Sequence, residues 1–399
     1  MTQARWLIGF AAIFATLCAG LLLQAFTNRY NGGIWLRDFQ VFHRAGERVL
    51  SGDDLFRPVR DGYYSYKYSP TAAMLFIPFS LLPFVVAEVF YWFFVSGLVV
   101  VGLYLSLTLI NPDFRNTDPA RLGFLLALTM MALGVHIWSE LTLGQINYLL
   151  LVMYIAIAWL FTQSRPVLLA FIWALSIFIK PFGLILLPYF VLKKRFREIA
   201  YFISFTALLF IMPAVSYGAH FLDLQRSWLS AITEELGNKA DLFQSGNHTL
   251  VAVIAQHSPL DAFEAGSVYL TIYKALVLAL VALAAFLVVR KGSGLKHAEV
   301  LDFAFILALT PLLSYTSNNL FVLVELGIIL LLFNFGKLNN REKVMAACGC
   351  LLIGGNFYNQ LPYEWGERFF AYYDSISLLT VGTILLLATI FMLRWRKTL

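Results

Sequence analysis

The stretch Phe84–Ile110, FVVAEVFYWFFVSGLVVVGLYLSLTLI, decides the fold. It is a nearly continuous apolar run, long enough for the roughly 20 residues with which a helix crosses the hydrocarbon core of a bilayer. Comparable runs recur outward from it, at 6–26, 268–289 and 376–393. The 399-residue chain is 60% hydrophobic and 13% charged, whereas a soluble domain carries about 25% charged residues to cover its outside. Lipid has to cover this chain instead. The expectation is an all-α integral membrane protein with about twelve transmembrane helices, in a single polytopic domain over 1–399. The spans fall at 5–26, 84–109, 121–138, 146–162, 166–180, 182–193, 199–217, 267–290, 299–314, 319–335, 343–357 and 375–393. The first run exceeds the apolar core of a secretory signal and lacks a small-x-small cleavage site, so it reads as a retained span. Cys18, Cys348 and Cys350 lie inside apolar runs and read as buried small hydrophobes.

Charge supplies the orientation. Basic clusters follow alternate spans: Arg115 and Arg121; Lys193, Lys194, Arg195 and Arg197; Arg290, Lys291 and Lys296; Lys337, Arg341 and Lys343; and Arg394, Arg396 and Lys397. That is the positive-inside pattern, which places both termini in the cytoplasm of a multi-pass protein. Cations distributed this way do not gather on one surface, so a nucleic-acid partner is not expected despite the net charge of +6.

Between residues 165 and 193, Lys180-Pro181 interrupts the apolar pattern. A lysine at the centre of one long span costs several kcal/mol and proline breaks the helix behind it, so the expectation is a short hairpin with Lys180 at its outer mouth. Three longer external segments, 27–83, 218–266 and 358–374, lie on the face away from the basic clusters. In the first, Phe39, Phe42, Ala45, Gly46, Val49 and Leu50 share one helical face, opposite Arg37, His43, Arg44, Glu47 and Arg48. This spacing predicts an amphipathic helix in the outer interface. A second interfacial or re-entrant helix is expected over 70–84, where Pro78 and Pro83 break the pattern.

No Walker loop, CxxC, HExxH or GxSxG with a partner histidine is present. Polar candidates gather on the external side. Asp38 opens the first amphipathic helix, as an N-cap or as a catalytic carboxylate. Gly144, Gln145 and Asn147 form a tight connection whose amides either satisfy helix ends or bind a ligand. Lys180 either snorkels or meets a phosphate. Asn247-His248-Thr249 reads as a glycosylation sequon or as a histidine donating to a phosphate or hydroxyl. Residues 314–319, ending in Asn318-Asn319, form an uncharged polar turn, and Glu325 lies inside the apolar run that follows. A proton relay, a ligand contact and an internal pair with Lys274 are all open to Glu325. Aromatics including Tyr66, Tyr68, Tyr358, Tyr363 and Trp365 suit a membrane belt or stacking on a sugar.

The order of these motifs carries a resemblance: Asp38-Phe39-Gln40-Val41-Phe42, Gly52-Asp53-Asp54-Leu55-Phe56, Tyr66-Lys67-Tyr68-Ser69-Pro70, Gly144-Gln145-Ile146-Asn147, and Ile179-Lys180-Pro181 leading into 193–197. The chain resembles the GT-C superfamily of membrane glycosyltransferases, specifically glycosyltransferase family 87, which includes bacterial polyprenyl-phosphate-mannose-dependent alpha-mannosyltransferases. The resemblance implies a bacterial plasma-membrane enzyme with an extracytoplasmic site. Its donor is a polyprenyl-phosphate sugar, mannose or a pentose such as arabinofuranose, and its acceptor is a glycolipid or cell-envelope glycan. Asp38 matches the base of such enzymes, in an inverting displacement. Lys180 and His248 suit the donor phosphate, and Tyr66, Tyr68, Gln145, Asn147, Asn247 and Asn318 are the substrate-binding candidates. No organic cofactor is implied, and no acidic pair marks a divalent metal, although the sequence does not exclude one. The rival reading is a transporter or flippase for a lipid-linked substrate; its expected inverted repeat is missing, since nothing in the second half mirrors Lys180-Pro181.

Overall fold

The computed structural model describes residues 5–31, 36–238, 246–258, 268–290, 298–314, 318–355 and 363–396, and these form helices and turns with no strand. Six helical segments are long and apolar enough to cross a membrane: Trp6–Leu23, Phe84–Ile110, Pro119–Leu143, Phe196–Ala231, Val268–Arg290 and Leu378–Arg396. Asn147–Thr162, Pro166–Ile179, Pro181–Leu192 and Asn318–Phe333 are apolar but shorter. The chain is thus a multi-pass helical membrane protein with six spans supported by length and composition, fewer than the twelve expected. The difference comes from breaks in the shorter runs, such as those at Lys180-Pro181 and Val324-Glu325.

The residues divide into two compact units. One holds Leu7–Leu105 and Trp138–Lys239. In it the indole Nε1 of the fully buried Trp92 donates to the Leu17 carbonyl at 2.9 Å, joining the first span to the Phe84–Ile110 helix. The expected amphipathic helix is observed at Arg37–Ser51, burying Phe39, Phe42, His43, Ala45, Gly46 and Val49. Its apolar face meets protein: a Cβ on Gly46 would lie 2.1 Å from Ser80 Oγ, and Phe42 stacks on Phe76 with ring centroids 4.5 Å apart. Two positions depart from the sequence reading. His43 is buried, with Nε2 3.1 Å from the Leu82 carbonyl oxygen, whereas Leu50 is 50% exposed. The 70–84 region forms two short helices, Pro70–Leu75 and Ile77–Ser80, divided at Phe76.

The hairpin at Lys180 is present. The Pro166–Ile179 helix ends at Lys180, whose backbone is extended, and a 3-10 turn Pro181–Ile185 leads into Leu186–Leu192. Trp173 closes the reversal by donating to the Gly183 carbonyl at 2.8 Å and stacking on Phe190 at 4.5 Å. Arg195 returns to lie over the Phe161 ring at 4.4 Å.

The other unit holds Met1–Trp6, Ser106–Ile137 and Ala240–Leu399. Its core includes the helices Ala298–Leu313, Glu325–Phe333, Asn340–Gly354 and Leu378–Arg396. Gly349 and Gly382 let two of these approach closely, since a Cβ on Gly382 would sit 3.0 Å from the Gly349 carbonyl oxygen. Small residues at such crossings let helix backbones pack tightly where lipid gives no hydrophobic drive. Asp302 and Arg394 form a fully buried ion pair at 3.0 Å, and Arg394 also donates to the Val288 carbonyl at 3.1 Å. Cys348 is exposed and Cys18 and Cys350 are half-buried, so the expectation of three buried thiols is corrected: these sites lie toward the protein's outside.

Candidate functional site

Asp38 lies in the first turn of the Arg37–Ser51 helix, whose N-cap position is Leu36, with no side-chain capping bond. The capping reading of Asp38 is therefore replaced: its Oδ2 accepts a hydrogen bond from Gln145 Nε2. The approach depends on glycine. Gly144 has φ +71°, and a Cβ there would lie 2.7 Å from Phe39 Cβ and 3.0 Å from the Phe39 amide nitrogen. Positive φ and that contact both exclude a side chain. Two further bonds fix the approach, from the Leu36 amide to the Thr142 carbonyl at 2.9 Å and from the Tyr91 hydroxyl to the Gln145 carbonyl at 2.8 Å. Tyr91 also stacks on Phe39, with centroids 4.1 Å apart.

Gln145 continues into a polar chain. Asn147 Nδ2 donates to Gln145 Oε1 at 3.2 Å and to Glu140 Oε1 at 2.5 Å, and Asn147 Oδ1 accepts from Lys180 Nζ at 2.7 Å. The Lys180 ammonium also lies 5.8 Å from the ring centres of Tyr68 and Phe182, within reach of a cation–π contact. Sequence reasoning placed Glu140 at the start of this connection and gave it no role. It is fully buried and its Oε2 accepts the Tyr148 amide at 3.1 Å. Its spacing, three and four residues before Gly144-Gln145, was the available signal.

The electrostatics favour a proton acceptor at Asp38. Burial raises its carboxyl above the ordinary value, opposed by the Lys180 charge, the Gln145 hydrogen bond and the Lys67 charge. Burial destabilises the ionised form and makes the carboxylate a stronger base. Tyr66 is buried and its hydroxyl donates to the Ser69 carbonyl at 2.8 Å, so it supports the 65–70 turn beside Tyr68.

The remaining predicted residues come together in the other unit. His248 is 4% exposed, with Nε2 3.5 Å from Asp374 Oδ1. Burial lowers its basicity, against the Asp374 charge and an Asn318 side-chain hydrogen bond. Both Asp374 oxygens also accept the Gly246 amide. Asn247 is buried, and its Oδ1 accepts from the amide and hydroxyl of Thr249, the N-cap of Leu250–Gln256. That geometry builds a turn and leaves the sequon asparagine inaccessible to a glycan. The Asn318 carbonyl faces His136 Nδ1 at 3.0 Å. Sequence reading missed Asp374 and His136, which are far from His248 along the chain. Glu325 is buried, and its Oε1 accepts from Ser106 at 3.2 Å. Ser245, residues 315–317 and Tyr358 lie outside the described residues. Among the described residues, no group of three or more His, Cys, Asp or Glu is arranged to hold a metal ion.

Membrane helices carrying a buried, amide-linked carboxylate and ammonium define a class, that of helical membrane proteins with a polar site suited to proton and anion chemistry. The model of glycosyltransferase family 87 matches residues 66–316, more than half of the chain, and the chain belongs to that family. It is therefore a glycosyltransferase. The match begins at Tyr66, so Asp38 lies ahead of it. No curated protein matches the chain.

Proposed function

We propose that the chain transfers a sugar, mannose by the resemblance drawn above, from a polyprenyl-phosphate donor to a glycolipid or cell-envelope glycan on the extracytoplasmic face of a bacterial plasma membrane. The supporting observation is the hydrogen-bonded run from Lys180 through Asn147 and Gln145 to Asp38, which holds a cation and a base in one polar network. Asp38 takes the acceptor hydroxyl's proton as that oxygen bonds to the anomeric carbon. The bond from that carbon to the phosphate oxygen breaks in the same displacement, inverting the configuration, and the electron pair leaves with polyprenyl phosphate. Lys180 meets the charge developing on the phosphate, as a preorganised donor aimed at a leaving oxyanion does. Tyr68, beside Lys180, offers a ring for the sugar's C–H face. A polyprenyl tail keeps the donor in the membrane that supplies it, which suits a chain with this much apolar surface.

The test offers the purified protein radiolabelled polyprenyl-phosphate mannose and, separately, a nucleotide-activated mannose, with an envelope glycolipid extract as acceptor. Labelled glycolipid from the first donor alone is expected. Transfer from the nucleotide sugar alone would contradict the donor assignment.

A further inference from the structure

The direction of every hydrogen bond in the Asp38 network is set by groups with no choice. The Lys180 ammonium only donates, so Asn147 must present Oδ1 to it and turn Nδ2 the other way. That Nδ2 meets two acceptors, Glu140 Oε1 at 2.5 Å and Gln145 Oε1 at 3.2 Å. Gln145, with its oxygen so occupied, directs Nε2 at Asp38. At the far end the Tyr148 backbone N–H, also only a donor, claims Glu140 Oε2 at 3.1 Å. Glu140 thus sits between two donors and must accept from both, which a carboxylate does and an amide does not. Its burial leaves no water to substitute for either partner.

We infer that Glu140 is a positioning residue of the transfer site: acting through Asn147, it fixes the amide face that meets Lys180 and thereby holds the ammonium ready for an anionic donor group. This rests on the assignment of Lys180 to the donor's phosphate. The arrangement also explains why a neutral amide, and not a carboxylate, touches Lys180. Glu140 polarises Asn147 from behind, so the lysine is oriented by negative charge at one remove and released to a phosphate without breaking a direct ion pair.

Glu140→Gln keeps size and shape but breaks the order of donors and acceptors. The new glutamine gives its oxygen to the Tyr148 N–H and presents N–H groups to Asn147, which then turns its own oxygen toward them and its NH2 toward the Lys180 ammonium. Combining Glu140→Gln with Asn147→Asp restores the order with carboxylate and amide exchanged. The new aspartate accepts from the glutamine on one oxygen and from Lys180 on the other, and the formal charge of the cluster is unchanged.

The experiment measures binding of a polyprenyl monophosphate to the full-length protein in detergent, against the uncharged polyprenol as control, so that changes in tail binding cancel. Lys180→Ala and Glu140→Gln are each expected to weaken the phosphate's advantage about tenfold or more, the scale of one charge-assisted hydrogen bond. The exchanged pair is expected to recover to within about threefold of the parent. Loss in Lys180→Ala with none in Glu140→Gln, or loss in both without recovery in the pair, overturns the role of Glu140 and leaves that of Lys180 standing. No loss in Lys180→Ala overturns the phosphate assignment and this inference with it. Should Glu140→Gln fail to fold, the exchanged pair decides alone: parent-like binding supports the inference, and a tenfold loss overturns it.

Discussion

Burial holds the Asp38 carboxyl above its ordinary 3.8, and Lys180, Gln145 and Lys67 each pull it back. A general base works only when ionised, so activity should fall with decreasing pH through a limb lying above that ordinary value. Removing a group that favours the ionised form moves the limb upward. Gln145→Leu should therefore shift the acid limb of kcat/KM to higher pH, as read from a pH–rate profile; a limb that stays put would detach Gln145 from the base. Sequence gave half of this site. The types and order of Asp38, Gln145, Asn147 and Lys180 marked them as polar groups in an apolar chain. That Asp38 faces an amide instead of its own helix end, and that Glu140 anchors the whole run, depends on a hydrogen-bond direction that residue spacing does not encode. His248 with Asp374 is a harder case, since 126 positions of chain, from 248 to 374, separate two groups only 3.5 Å apart.

At the scale of elements, the turn at Gly144 and the hairpin at Lys180 deliver the polar side chains. Gly144 was readable as a point of close approach, and the structure supplies the reason in its positive φ and its contact with Phe39. Gly144→Ala should cost about 1–2 kcal/mol for the left-handed backbone and about 1–3 kcal/mol more for overpacking against Phe39. The measurable outcome is a lower Tm in detergent together with loss of transfer, because the strain falls between Asp38 and Gln145. The Lys180 break was also legible, since lysine and proline interrupt an apolar run at one point. Helix faces were read less well. His43 looked solvent-facing by periodicity, yet the short Ile77–Ser80 helix and the turn after it cover that side and offer the Leu82 carbonyl as a partner.

Over the whole molecule, composition announced a membrane protein, while the number of long spans fell short because half of the expected ones are interrupted or brief. Apolar content says what surrounds a segment and not where its backbone breaks. The buried Asp302–Arg394 pair shows the same limit from the other side, as charges inside apolar runs whose pairing sequence left unread. Removing one partner strands the other's charge, so Asp302→Leu should lower stability by about 3–5 kcal/mol, and replacing both with Leu and Met should recover most of it. Thermal denaturation of the single and double variants in one detergent checks this; equal losses in both would mean that the pair is not coupled.

The central claim is that a base at Asp38 drives sugar transfer from a polyprenyl-phosphate donor. Its most direct measurement is single-turnover transfer by Asp38→Asn, with binding of polyprenyl monophosphate and Tm recorded on the same preparation. The expected result is parent-like folding and donor binding with the chemical step slowed at least 100-fold, the low end of general-base contributions of about 10²–10⁴. Parent-like turnover by a folded, donor-binding Asp38→Asn protein would contradict the account.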